Sequence, residues 1–205
     1  MLWRCERYFQ YLGWIMLAVL STSCTQPGSV IEPSDPGAPT TAATTKPPQD
    51  PILRIETEMH TARISHISVD GAGQSLVTAS DDKTLRVWEV STGRLLRVLR
   101  PPIGQGNEGK MYAVAISPDG NTVAGAGWSG LEWDKTHSVY LFDKSSGRML
   151  KRITGLPQSI PHLSFSPDVR ILLVTFHGKS GIRLYRTADS ALLAEDRDYQ
   201  GETYG

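Results

Sequence analysis

Between His60 and Glu195 the chain repeats one pattern three times. The copies are "HTARISHISVDGAGQSLVTASDDKTLRVWEVSTGRLLRVL", "GKMYAVAISPDGNTVAGAGWSGLEWDKTHSVYLFDKSSGRMLKRI" and "SIPHLSFSPDVRILLVTFHGKSGIRLYRTADSALLAE". Each runs through an alternating apolar stretch, an "SPDG"-like turn, a second apolar stretch, a loop, a third stretch ending in an aromatic, a "TG"-like turn and a fourth stretch. Alternation with period two and punctuation by Gly, Asp and Ser predict strands, and nothing sustains a helical period. Gly73, Gly120 and Val169 share the first turn, at separations of 47 and 49 residues, and Trp88, Phe142 and Tyr185 share the aromatic position, at 54 and 43. Unequal spacings mean that the strands are kept while the loops vary. That is four strands per unit, repeated three times.

The pattern resembles the WD-repeat family of β-propellers, whose blades are four-stranded antiparallel sheets. The resemblance implies an all-β partial propeller over 52–205, with blades at about 54–100, 109–154 and 155–196 and the start of a fourth at 199–205. It also implies a hydrogen-bonded set of His60, Ser80, Asp82 and Trp88, matched to the first copy. The physical need is polar satisfaction: a Trp N–H and a carboxylate near a tight turn are costly when buried without partners. The second and third copies replace the Trp by Phe142 and Tyr185, and the second lacks the Asp. "GETYG" at the end parallels "GKMYA", which opens the second copy. The expectation is a chain that forms the N-terminal part of a longer propeller with open blade edges; the alternative is closure by oligomerising or by pairing with a separate half-propeller.

The first 51 residues have a different texture. Arg4 and Arg7, an apolar run from Tyr11 to Leu20 and small residues before Cys24 read as a signal peptide over 1–23. The run is too short to be a stable membrane span. The segment before Cys24 resembles the lipobox of bacterial lipoproteins, with Leu20 one position early, so Cys24 is a candidate for lipidation; Ser21 and Ser23 equally suit ordinary cleavage. Residues 24–51 hold many Pro and Thr and little large apolar surface, which predicts an extended tether. Together these features predict export to the periplasmic side of the outer membrane, or a soluble periplasmic or secreted protein, with membrane contact only through Cys24.

Charge and motifs narrow the function. With 21 Lys plus Arg against 21 Asp plus Glu and no basic stripe, nucleic acid is not an expected partner. "GQGNEG" at Gly104–Gly109 has dinucleotide-loop spacing but leads into a strand, so it offers no helix N-terminus to a pyrophosphate. "SDDK" at Ser80–Lys83 falls on a turn, where a serine acyl-enzyme needs a helix. His60, His66, His137, His162 and His177 lack paired spacing, so neither a metal nor another cofactor is expected. The second copy carries extra residues, "GWSGLEWDKTHS", in which Trp128, Trp133, Asp134 and His137 form either a partner-binding loop or a plug over the neighbouring blade. The residues point to a non-enzymatic scaffold that binds other proteins through blade faces or edges; the alternative is the leading part of an enzyme with a downstream catalytic domain or a ligand in the central channel.

Overall fold

The computed structural model describes residues 53 and 55–198. The stretches expected to be a signal peptide (1–23), a tether with Cys24 (24–51) and the start of a fourth blade (199–205) lie outside the described residues. Among the described residues twelve strands form three sheets of four, each a simple antiparallel meander. Blade 1 comprises β1 (Ile64–Val69), β2 (Ser75–Ser80), β3 (Leu85–Glu89) and β4 (Leu95–Leu99). Blade 2 comprises β5 (Lys110–Ile116), β6 (Thr122–Trp128), β7 (His137–Asp143) and β8 (Met149–Leu156). Blade 3 comprises β9 (Leu163–Phe165), β10 (Ile171–Thr175), β11 (Ile182–Arg186) and β12 (Leu192–Asp196). The all-β expectation of four-stranded units holds, although β8 runs on to Leu156, past the boundary at 154.

The turns show why the three stretches fold alike. Gly73, Gly120 and Val169 all take left-handed backbone conformations, at φ 67°, 73° and 63°. In the second and third copies the Ser hydroxyl receives a backbone N–H across the turn and donates to the Asp: Ser117 to Asp119, and Ser166 to Asp168. Asp70 does the equivalent work alone in blade 1, accepting from the N–H groups of Gln74 and Ser75. The second hairpins also match: the N–H groups of Gly93, Gly147 and Ser190 each reach back four residues to a carbonyl at 2.8 Å. Local turn chemistry therefore sets the hairpin registers.

Packing is sheet on sheet. Val77, Ala79, Leu85, Val87 and Leu99 of blade 1 form one core with Met111, Val114, Ile116, Val123, Tyr140 and Phe142 of blade 2. The other face of blade 2 offers Ala113, Ala115, Ala124 and Ala126 to Leu163, Leu172, Val174, Phe176 and Tyr185 of blade 3. Alternate residues of β5 and β7 therefore enter different cores, which is the period-two rule applied to a sheet covered on both sides. The first strands β1, β5 and β9 pack side by side.

Candidate functional site

The polar set of blade 1 is assembled around its outer face, the one turned away from blade 2. Trp88 Nε1 donates to Thr78 Oγ1 at 2.9 Å, and Thr78 Oγ1 is 2.6 Å from His60 Nε2. The opposite ring nitrogen, Nδ1, lies 2.7 Å from Asp82 Oδ2. With a neutral imidazole protonated on Nδ1, the chain of donors runs unbroken from indole to hydroxyl to imidazole to carboxylate. Asp82 also accepts from Thr84 Oγ1 at 2.6 Å and from the N–H of Thr61 at 3.1 Å. Burial pushes the Asp82 carboxyl up, but hydrogen bonds from His60, Thr84 and Thr61 hold it far below the ordinary aspartate value.

His60, Asp82 and Trp88 are thus brought together, and Ser80 is not the link. Its hydroxyl accepts the N–H of Asp82 at 3.1 Å and donates to the carbonyl of Ala62 at 3.2 Å, tying the turn rather than the Trp. Thr78, two residues earlier on the same face of β2, makes the bridge. The "SDDK" residues lie on the β2–β3 turn, closed by the N–H of Lys83 on the Ser80 carbonyl. "GQGNEG" connects β4 to β5, with Gly106 and Gly109 in left-handed conformations.

Register shows how the set is lost in the other blades. Leu76 faces Trp88, Val123 faces Phe142 and Leu172 faces Tyr185, so Thr78 corresponds to Gly125 and Val174. A Cβ on Gly125 would sit 2.2 Å from Leu85 Cδ1. Blade 1 thus fills with a leucine the space that a hydroxyl occupies in its own sheet.

The long stretch of blade 2 divides. Trp128 and His137 belong to the ends of β6 and β7, leaving only 129–136 as loop, because Trp128 pairs with Lys110 and its carbonyl accepts from Gly109. Trp133 folds back: the Arg152 guanidinium lies 4.8 Å over its ring and pairs with Asp134, while Arg152 Nε donates to Ser138 Oγ at 3.1 Å. Trp128 remains 42% exposed, edge-on to His137. Trp133 thus folds onto its own blade rather than over a neighbouring one, and Trp128 is presented to solvent.

A contact that spacing did not suggest joins His66 of β1 to His162 beside β9, with rings stacked at 5.0 Å. They line a cleft of about 300 Å³ between the first strands of the three blades. Burial pushes both imidazoles below the ordinary histidine value, and at His66 the neighbouring His162 adds to the effect.

Comparisons with known proteins follow this geometry. The family model described as "WD domain, G-beta repeat" (WD40) matches residues 53–89. A ribosome biogenesis protein BOP1 homolog of Monosiga brevicollis is 62% identical over 40 residues, which is 20% of this chain and 5% of that protein. Homologs of the same name from Culex quinquefasciatus and Drosophila melanogaster are 50% and 45% identical over 40 residues, again 5% of their length. Among solved structures, U3-55K superposes with a TM-score of 0.59 at 21% identity, over 70% of this chain and 42% of that one. The RRP9 WD40 repeats give 0.60 at 21%, over 70% and 41%. At that identity the likeness concerns the fold, which is that of WD40 propeller blades. The curated relatives also correct one expectation. They come from eukaryotes and are named for ribosome biogenesis, work done inside the cell, which overturns the placement of this chain on the periplasmic side of the outer membrane or outside the cell.

Proposed function

We propose that this chain, a WD40-repeat protein, is a scaffold that binds other proteins, and that the outer face of blade 1 is its main contact surface. One observation carries the reading. Ile67 and Val69 of β1 are 56% and 49% exposed, whereas Val114 and Ile116, at the same register positions of β5, are 1% and 4% exposed beneath blade 1. The apolar pattern is that of a covered sheet face, yet among the described residues no sheet lies on it, and contiguous exposed apolar surface marks an interaction site. Leu76 and Trp88 flank it, half-buried. The fitting partner surface is another sheet with apolar residues at alternate positions. The relatives named for ribosome biogenesis support the same class, since building a ribosome is an assembly task served by surfaces that hold components.

The double variant Ile67→Asp, Val69→Asp tests this. Both side chains are half in solvent, so stability should change by no more than about 0.5 kcal/mol per site, while proteins captured from cell extract by the full chain should be lost. Unchanged capture by the folded variant would overturn the reading.

A further inference from the structure

The segment ahead of His60 meets blade 1 through the Glu56 carboxylate, with Leu53 and Ile55 at the edge of a neighbouring cleft. Leu53 and Ile55 are 90% and 81% exposed, yet the Glu56 carboxylate between them and the turn is gripped by two guanidiniums. Arg86 Nη1 donates to Oε1 at 2.7 Å and Arg100 Nη2 to Oε2 at 2.7 Å. Arg86 stands on β3 opposite Thr78, on the outer face of blade 1, and its side chain is only 3% exposed. Arg86 and Arg100, which hold Glu56, border a cleft of about 260 Å³ that Leu53, Ile55, Asp82 and Ile103 also line. Leu53 and Ile55 edge the cleft while keeping most of their surface in solvent, so the segment lies along the sheet without entering its core.

Charge defines what else the cleft can take. Asp82 is the one carboxylate among the residues lining the cleft, and His60, Thr84 and Thr61 occupy it, so without Glu56 the buried Arg86 guanidinium lacks a counter-ion, which is costly. One further carboxylate balances the cleft, whereas a polyanionic phosphate chain would crowd Asp82. Glu56 also leaves the fork incomplete: Arg86 Nε is buried and meets no acceptor among the described residues. A carboxylate free to approach side-on could engage both faces of that fork.

We propose that Arg86 and Arg100 form a receptor for an acidic side chain on an extended segment of a partner protein, and that Glu56 occupies it as a tethered placeholder. This rests on the scaffold reading above and names the partner chemistry of that same outer face. A tethered occupant competes at high effective concentration, so the receptor is held closed until a better-fitting acidic segment displaces it.

The test is fluorescence anisotropy of the full chain with a labelled peptide of sequence LRIETE, beside its twin with Gln in place of both Glu. Glu56→Gln should raise affinity for the acidic peptide about tenfold or more over wild type, with no gain for the Gln twin. Adding Arg100→Gln, at the solvent edge, should remove most of that gain while leaving the thermal midpoint in place. If Glu56→Gln does not fold, Glu56→Asp, which keeps the charge but shortens the reach, should show a smaller gain in the same direction. Equal affinities for wild type and variant, or for the two peptides, would overturn the proposal, as would tighter binding of a six-nucleotide single strand than of the peptide. Peptide failure while Ile67→Asp, Val69→Asp still abolishes capture overturns this site and leaves the scaffold standing. Peptide binding alongside unchanged capture upholds the site and overturns the scaffold reading.

Discussion

Blade 1 and blade 2 are the same sheet in two environments. Their strands, turns and aromatic positions match in register, but among the described residues blade 2 is covered on both faces and blade 1 on one. Where blade 2 has Gly125 under Leu85, blade 1 has Thr78 holding Trp88 and His60. A face covered by a neighbouring sheet can rely on apolar packing, while a face without that cover needs its polar groups tied to one another. The hydrogen-bonded set of blade 1 thus stabilises its sheet from within.

The largest test of this contrast places the same residue at matched positions. Val114→Lys buries an unpaired charge between two sheets and should cost about 3–5 kcal/mol or prevent folding, whereas Ile67→Lys should stay within about 0.5 kcal/mol. Urea unfolding reads both, and similar losses would mean that the two faces do not differ. Next in size is the Leu85–Gly125 contact. Leu85→Ala should cost about 3 kcal/mol through its cavity and Gly125→Val about 1–3 kcal/mol through overpacking. The double variant should lose clearly less than the sum; strict additivity would remove the contact from the account. Thr78→Val leaves the Trp88 N–H and the His60 nitrogen without their shared partner and should cost about 1–2 kcal/mol, with Trp88 fluorescence shifting because the indole loses its acceptor. The smallest effect is a gain. Val169 is a β-branched residue at φ 63° where blades 1 and 2 have glycine, so Val169→Gly should stabilise by about 0.5–1 kcal/mol despite the added unfolded-state entropy. A loss of stability would show that Val169 contributes packing that outweighs its backbone strain.

Much of the fold was legible because the turns carry their own chemistry. Gly at positions that demand positive φ and Asp that accepts the turn N–H groups mark the hairpins, and alternating apolar residues mark the strands. The polar set lacked its link in the sequence: Thr78 and Ser80 lie on the same face of β2, Ser80 bonds the N–H of Asp82, and only the seating of His60 puts Thr78 against the ring. The pairing of His66 with His162 was out of reach: the two are far apart in the chain, and side-by-side packing of first strands brings them together. Trp128 and Trp133 looked alike in sequence, yet the Arg152 beneath Trp133, contributed by β8, separates their roles. Arg86 and Arg100 drew no attention because their counter-charge, Glu56, lies thirty and forty-four residues upstream.

The central claim is that the outer face of blade 1 is where another protein sits. Its most direct test is a photo-crosslinking residue at position 67, with position 92 on the exposed β3–β4 turn as the control, followed by mass spectrometry of the adducts. The account predicts that position 67 links to a second polypeptide at alternate residues of one strand, with little yield from position 92. Equal yields from both positions, or no intermolecular adduct at 67, would contradict it.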